Sequence, residues 1–203
     1  EDGIRDYKVT GVQTCALPIF LAGGCKLVAP GDPRRSNWCT EAADRYAEAS
    51  RGLDSPELAW LRFEVIWSQA ALYNQAALSA RAAGDPATEA RSWQLAYDVC
   101  QAGRPLLGAA PVNDRELAQE CVAAAGGTGR YAAYFAWAAI LEADDRTDDG
   151  KLKSSNVETV YRGARPGCAT LGFERNRRKK TVPETRGLPE NQFCYAEIGR
   201  AHV

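Results

Sequence analysis

The sequence predicts an all-α protein, an array or bundle of antiparallel helical hairpins, followed by a short tail that is irregular or a small β-hairpin. Three observations carry this. Apolar side chains recur three and four residues apart through residues 36–146. These stretches are bracketed by helix start and stop residues, as at Ser55-Pro56-Glu57 and Gly84-Asp85-Pro86. The composition is rich in Ala, which suits helices.

The elements follow in order. Ser36 can cap a first helix over 37–51, which carries Trp38, Ala42, Ala43, Tyr46 and Ala49 and stops at Gly52. Ser55-Pro56-Glu57 opens the next over 56–83: a cap, a Pro in the first turn, then an acid near the positive end of the helix dipole. This helix bears two apolar stripes, Leu58, Leu61, Val65, Leu72 and Trp60, Phe63, Trp67, Ala70, Ala77, so it should be buried on more than one side. Asp85-Pro86 starts a helix over 86–102 with Trp93, Ala96, Tyr97 and Cys100, and the short join at Gly84-Asp85 folds it back as an antiparallel hairpin. A loop with Pro105 and Pro111 leads to Asn113-Asp114-Arg115-Glu116, which has capping-box spacing and opens a helix over 114–125. Gly126-Gly127-Thr128-Gly129 turns the chain into a fifth helix over 130–143, with Tyr131, Tyr134, Phe135, Trp137, Ala138, Ile140 and Leu141. Trp60, Phe63, Trp67, Trp93 and Phe135 are the expected core.

Beyond the charged linker at 144–150 the pattern changes. Short β-branched and aromatic runs around Arg165-Pro166-Gly167 suggest a hairpin within residues 147–196. The basic run Arg175 to Lys180 reads as a solvated loop rather than a nucleic-acid patch.

The two ends resemble translated short-read sequencing adapter. Reverse translation of Glu197 to Val203 gives GAG ATC GGA AGA GCA CAC GTC, and the stretch through Val9-Thr10-Gly11-Val12-Gln13-Thr14-Cys15 reads as the opposite adapter. Residues 1–19 and 197–203 are therefore expected to take no part in the fold. The lone histidine, His202, and Cys15 fall in these segments. In residues 20–196 acidic and basic side chains balance, which gives no push toward nucleic acid.

Phe20-Leu21-Ala22-Gly23-Gly24-Cys25 resembles the end of a bacterial lipoprotein signal peptide, with Ala22 where Leu is usual. That resemblance implies lipidation of Cys25, with Lys26 to Pro33 as a tether and residues 20–35 outside the fold; a Gly-rich turn with an ordinary Cys is the other reading. It places the protein in the bacterial cell envelope, touching the membrane only through that anchor; the alternative is the cytoplasm. Cys39, Cys100, Cys121, Cys168 and Cys194 form no CxxC pair and no metal site is expected, so disulfides in an oxidising compartment or buried thiols in a reducing one remain. Hairpin arithmetic puts Cys39 and Cys100 at one height on helices flanking the long one, which predicts a bridge between them. Cys168 and Cys194 are the next pair, and Cys121 is left over.

Ala83-Gly84-Asp85-Pro86-x-x-x-Ala90-x-x-Trp93 and Gly129-Arg130-Tyr131-x-Ala133-x-x-Ala136 resemble tetratricopeptide-type repeats. The two turn glycines lie 45 residues apart rather than the ~34 of that family. The resemblance implies a scaffold that binds a protein or peptide partner, with Tyr73, Trp93, Tyr97, Tyr131 and Tyr134 as candidate contacts. No cofactor is expected. With no native histidine to serve as base, the reading leans away from catalysis. Two alternatives stay open: a soluble helical bundle unrelated to such repeats, or a truncated helical enzyme domain using carboxylates such as Glu57, Glu64 or Glu142 for glycan cleavage.

Overall fold

The computed structural model describes residues 19–109 and 114–145 (for 142–145, the backbone alone). Among them six helices follow one another. A helix through residues 19–27 is α1. Then come α2 (Pro33–Ser50), α3 (Ala59–Ala83), α4 (Pro86–Gly103), α5 (Asp114–Gly127) and α6 (Tyr131–Asp145). Single 3-10 turns stand at Pro56–Leu58 and Arg104–Leu106. No strand occurs among the described residues. The expected hairpin tail, Cys168, Cys194, Asn113 and, of the adapter-like segments, residues 1–18 and 197–203 lie outside them; Ile19, the last residue of the N-terminal adapter-like segment, opens α1 with its side chain 66% exposed.

Most helix ends obey local chemistry. Asp85 caps α4, its carboxylate accepting from the Thr88 amide at 3.0 Å and the Thr88 hydroxyl at 2.6 Å. The α3–α4 reversal needs a left-handed residue, and Gly84 takes it at φ 73°. There the Asp85 amide reaches back to the Ala80 carbonyl. The α5–α6 turn repeats this at Gly129, with the Arg130 amide donating to the Ala125 carbonyl. At the head of the second hairpin Ser55 makes no bond to a backbone amide. Glu57 does that work: its own backbone amide, then the Ser55 hydroxyl, hold its carboxyl below the usual range.

Two expectations about the N-terminal region are corrected. Ser36 does not cap α2; Asp32 does, accepting from the Arg34 amide at 2.9 Å with Pro33 in the first turn. Ser36 is buried, and its hydroxyl donates to the Ala76 carbonyl of α3 at 3.1 Å. The supposed tether is a helix that packs. Leu21 and Cys25 are buried, and Gly24 lies so close under the Trp38 ring that a methyl group there would run into it. The missing side chain admits the neighbouring helix, and that contact outweighs glycine's poor helix propensity.

The core is organised around α3, which packs against α2, α4 and α5, while α6 closes on α5. Burial of α3 on several sides, expected from its two stripes, is found at Phe63, Val65, Ile66, Ala70, Leu72, Ala76 and Ala77. Small residues let backbones approach: Gly103 of α4 faces Ile66 and Leu117, where a Cβ would lie 2.8 and 3.0 Å from their methyl groups. Phe135 and Trp93 are buried as expected. Trp67 is half-buried, and Trp60 is 54% exposed. Trp60 is therefore on a part of α3 that the described residues leave open to solvent.

Candidate functional site

The cysteines come together, in pairings the sequence did not predict. Cys25 of α1 bridges Cys39 of α2, and Cys100 of α4 bridges Cys121 of α5. The predicted Cys39–Cys100 bridge fails because α2 and α4 flank α3 on different sides and share almost no contact. Equal height along α3 did not mean equal azimuth around it. The same geometry bears on lipidation. The Cys25 sulfur is committed to Cys39 and fully buried, and a sulfur in a disulfide cannot also carry a thioether-linked lipid.

The Cys25–Cys39 bridge holds α1 over the α2–α3 pair, and a cleft of about 340 Å³ opens where the three meet. Its walls are apolar and aromatic: Ala22 of α1, Tyr46 of α2, and Trp67, Ala71 and Leu72 of α3. Its polar groups are Lys26, Arg35, Ser68 and Gln75; none of its lining residues is acidic. Arg35 is fixed in place. Its Nε donates to the Cys25 carbonyl at the end of α1 at 2.7 Å, and Nη2 donates to Gln75 Oε1 at 3.2 Å. A cation at a helix C-terminus also meets the negative end of the dipole.

The cleft sits midway along an open stripe of α3. Trp60, Glu64, Trp67, Ala71, Gln75 and Leu78 recur at helical spacing, and all are at least partly exposed. Trp60 and Leu78, at 54% and 44% exposure, mark its ends, about 27 Å apart at 1.5 Å per residue.

The candidate partner-binding aromatics are placed otherwise. Tyr73, Trp93 and Tyr134 are 4–5% exposed and belong to the core. The Tyr73 hydroxyl donates to Asp44 at 2.6 Å, tying α3 to α2. Burial, then this carboxylate, pushes its pKa up to about 12. Tyr134 is likewise pushed up to about 12, first by burial. Trp93 lies against Gly127 and donates from Nε1 to Glu89 at 3.2 Å. Tyr97 is half-buried beneath Arg130, whose guanidinium stands 4.3 Å from its ring centre. Tyr131 is half-buried and meets Tyr134 edge to face at 6.4 Å. Helical periodicity identified these residues as apolar-face members but could not separate core from surface.

One buried polar pair escaped sequence reasoning. Asn74, 2% exposed, donates from Nδ2 to the Glu120 carbonyl at 2.9 Å and to its carboxylate at 2.7 Å, joining α3 to α5. Its Oδ1 has no protein partner among the described residues. Desolvation raises the Glu120 pKa, against the lowering effect of the Asn74 amide. A carboxyl whose folded pKa is raised contributes stability in full below its unfolded value, and that stability is lost as pH rises through the folded pKa. Glu120→Gln stays neutral and keeps an acceptor for Asn74, so its stability relative to the parent should grow from pH 4 to pH 7. Urea midpoints of the two proteins at both pH values check this, and a constant difference would remove the assigned cause.

Of the carboxylates considered for catalysis, Glu57 serves its own helix start, Glu64 lies on the α3 stripe, and the Glu142 side chain is outside the described residues. Among the described residues no three metal-ligating side chains cluster. No described helix is long and apolar enough to cross a membrane. No protein-family model matches the chain, and no curated protein or solved structure matches it.

Proposed function

We propose that the chain is a protein-interaction module of helical hairpins, acting in an oxidising compartment, the bacterial cell envelope, and that its partner lies along the open stripe of α3. The observation that carries this reading is Trp60. A large aromatic side chain stays 54% exposed on a helix that is otherwise packed on several sides. Exposed apolar patches of this kind mark contact surfaces, and Trp is prominent among residues that dominate binding energy. Trp67, Ala71 and Leu78 continue the surface. Two internal disulfides favour an oxidising compartment.

The test is a displayed-peptide selection against the oxidised full chain, followed by affinity measurement of the selected peptides on the Trp60→Ala and Trp67→Ala variants. A loss of at least tenfold is expected for Trp60→Ala, with little change in melting temperature because the residue is already largely solvated. Selected peptides that bind both variants as well as the parent, or no enrichment at all, would overturn the reading.

A further inference from the structure

The α1–α2–α3 cleft has chemistry that partner binding does not require. Its volume, about 340 Å³, lies at the small end of the range for small-molecule sites. Its lining divides in two. Tyr46, Trp67, Ala71 and Leu72 offer an apolar wall, while Lys26 and Arg35 bring two positive charges. Neither cation forms an ion pair with a carboxylate of the described residues. Arg35 is part-buried and rigidly posed, because Nε and Nη2 are taken by neutral acceptors, the Cys25 carbonyl and Gln75. Those acceptors orient the guanidinium without neutralising it, and Nη1 has no protein acceptor among the described residues. A part-buried charge left this way favours an anion supplied from outside, since a hydrogen bond between two ionised groups is stronger than one to a neutral acceptor. A bare inorganic anion would leave the aromatic wall unused, and a neutral apolar molecule would cover the cations without pairing them.

We infer that the cleft is a binding site for a small amphipathic acid, one carboxylate on an aromatic or aliphatic body, with the carboxylate on Arg35 and Lys26 and the body against Trp67 and Leu72. This goes beyond the partner-binding reading and stands without it, because the ligand binds the isolated protein.

Isothermal titration of the oxidised full chain with phenylbutyrate and decanoate tests the inference, with phenylbutanamide, decanol and inorganic phosphate as controls. A saturable single site is expected, with Kd of roughly 10 μM to 1 mM for a ligand of ~12 heavy atoms. The amide and the alcohol should bind at least tenfold more weakly, and phosphate should neither bind comparably nor displace the acid. Arg35→Gln should lower affinity for the acid at least tenfold. Should that variant lose α1 packing in its circular dichroism melt, Lys26→Gln, at an exposed position, should still weaken the acid severalfold and leave the amide unaffected. Absence of saturable binding by either acid overturns the inference. So does an amide or alcohol that binds as tightly as its acid, phosphate that competes on equal terms, or acid affinity unchanged in both variants. The two tests stay distinguishable because the expected loss of peptide affinity is read at Trp60, which does not line the cleft, whereas Trp67 belongs to both surfaces.

Discussion

Reduction of both disulfides should cost about 6 kcal/mol, about 3 for each bridge on the chain-entropy model of loop closure. The closed loops are short, with separations of 14 and 21 residues. Even so, the sum rivals the ~5–15 kcal/mol that holds a typical domain together. The reduced chain should therefore be largely unfolded at temperatures where the oxidised chain is fully helical. Thermal melts followed by far-UV circular dichroism, with and without reductant, read this directly. Paired serine variants separate the bridges. Cys25→Ser with Cys39→Ser should free α1 and dissolve one wall of the cleft, leaving the α3–α6 packing. Cys100→Ser with Cys121→Ser should weaken the α4–α5 contact beside α3. Melting temperatures that agree within error in both redox states would show that helix packing alone carries the structure.

Phe63→Ala should cost about 3–5 kcal/mol, the range for emptying a fully buried aromatic site. Phe63 is wholly inaccessible to solvent and belongs to the main core cluster. Trp60, three residues earlier on the same helix, is 54% exposed, and Trp60→Ala should stay within about 0.5 kcal/mol of the parent. Urea unfolding of the two variants side by side measures the asymmetry. Equal losses would mean that α3 is rotated about its axis relative to the packing described here.

That contrast also shows what periodicity can and cannot specify. Trp60 and Phe63 share one apolar stripe in the sequence, and the stripe's existence was a sound guide to helix and to burial. Which members of it face α2, α4 or α5 depends on azimuth, and azimuth is set by partners distant in the chain. Punctuation was more legible. Gly84, Asp85 and Pro86 act through bonds no longer than five residues, so the α3–α4 hairpin could be read locally. The Gly23-Gly24 pair was misread because its role is a close approach to Trp38, which no local rule reveals. The cleft was illegible for the same reason: Lys26, Arg35, Tyr46 and Trp67 fall on three helices, and nothing in their spacing joins them. The disulfide prediction failed on azimuth too, since a height argument uses one coordinate of a three-dimensional problem.

Among the described cysteines, each is bonded to its nearest neighbour in sequence: the first to the second, the third to the fourth. The two loops neither overlap nor enclose one another. A chain oxidised progressively from its N-terminus would present Cys39 to Cys25 long before Cys100 is available, and Cys121 to Cys100 when the first pair is already closed. Among these four thiols, the order of appearance selects the native partner at every step. Neither bridge has to be broken and remade, so oxidative maturation of this region should proceed without the help of an isomerase.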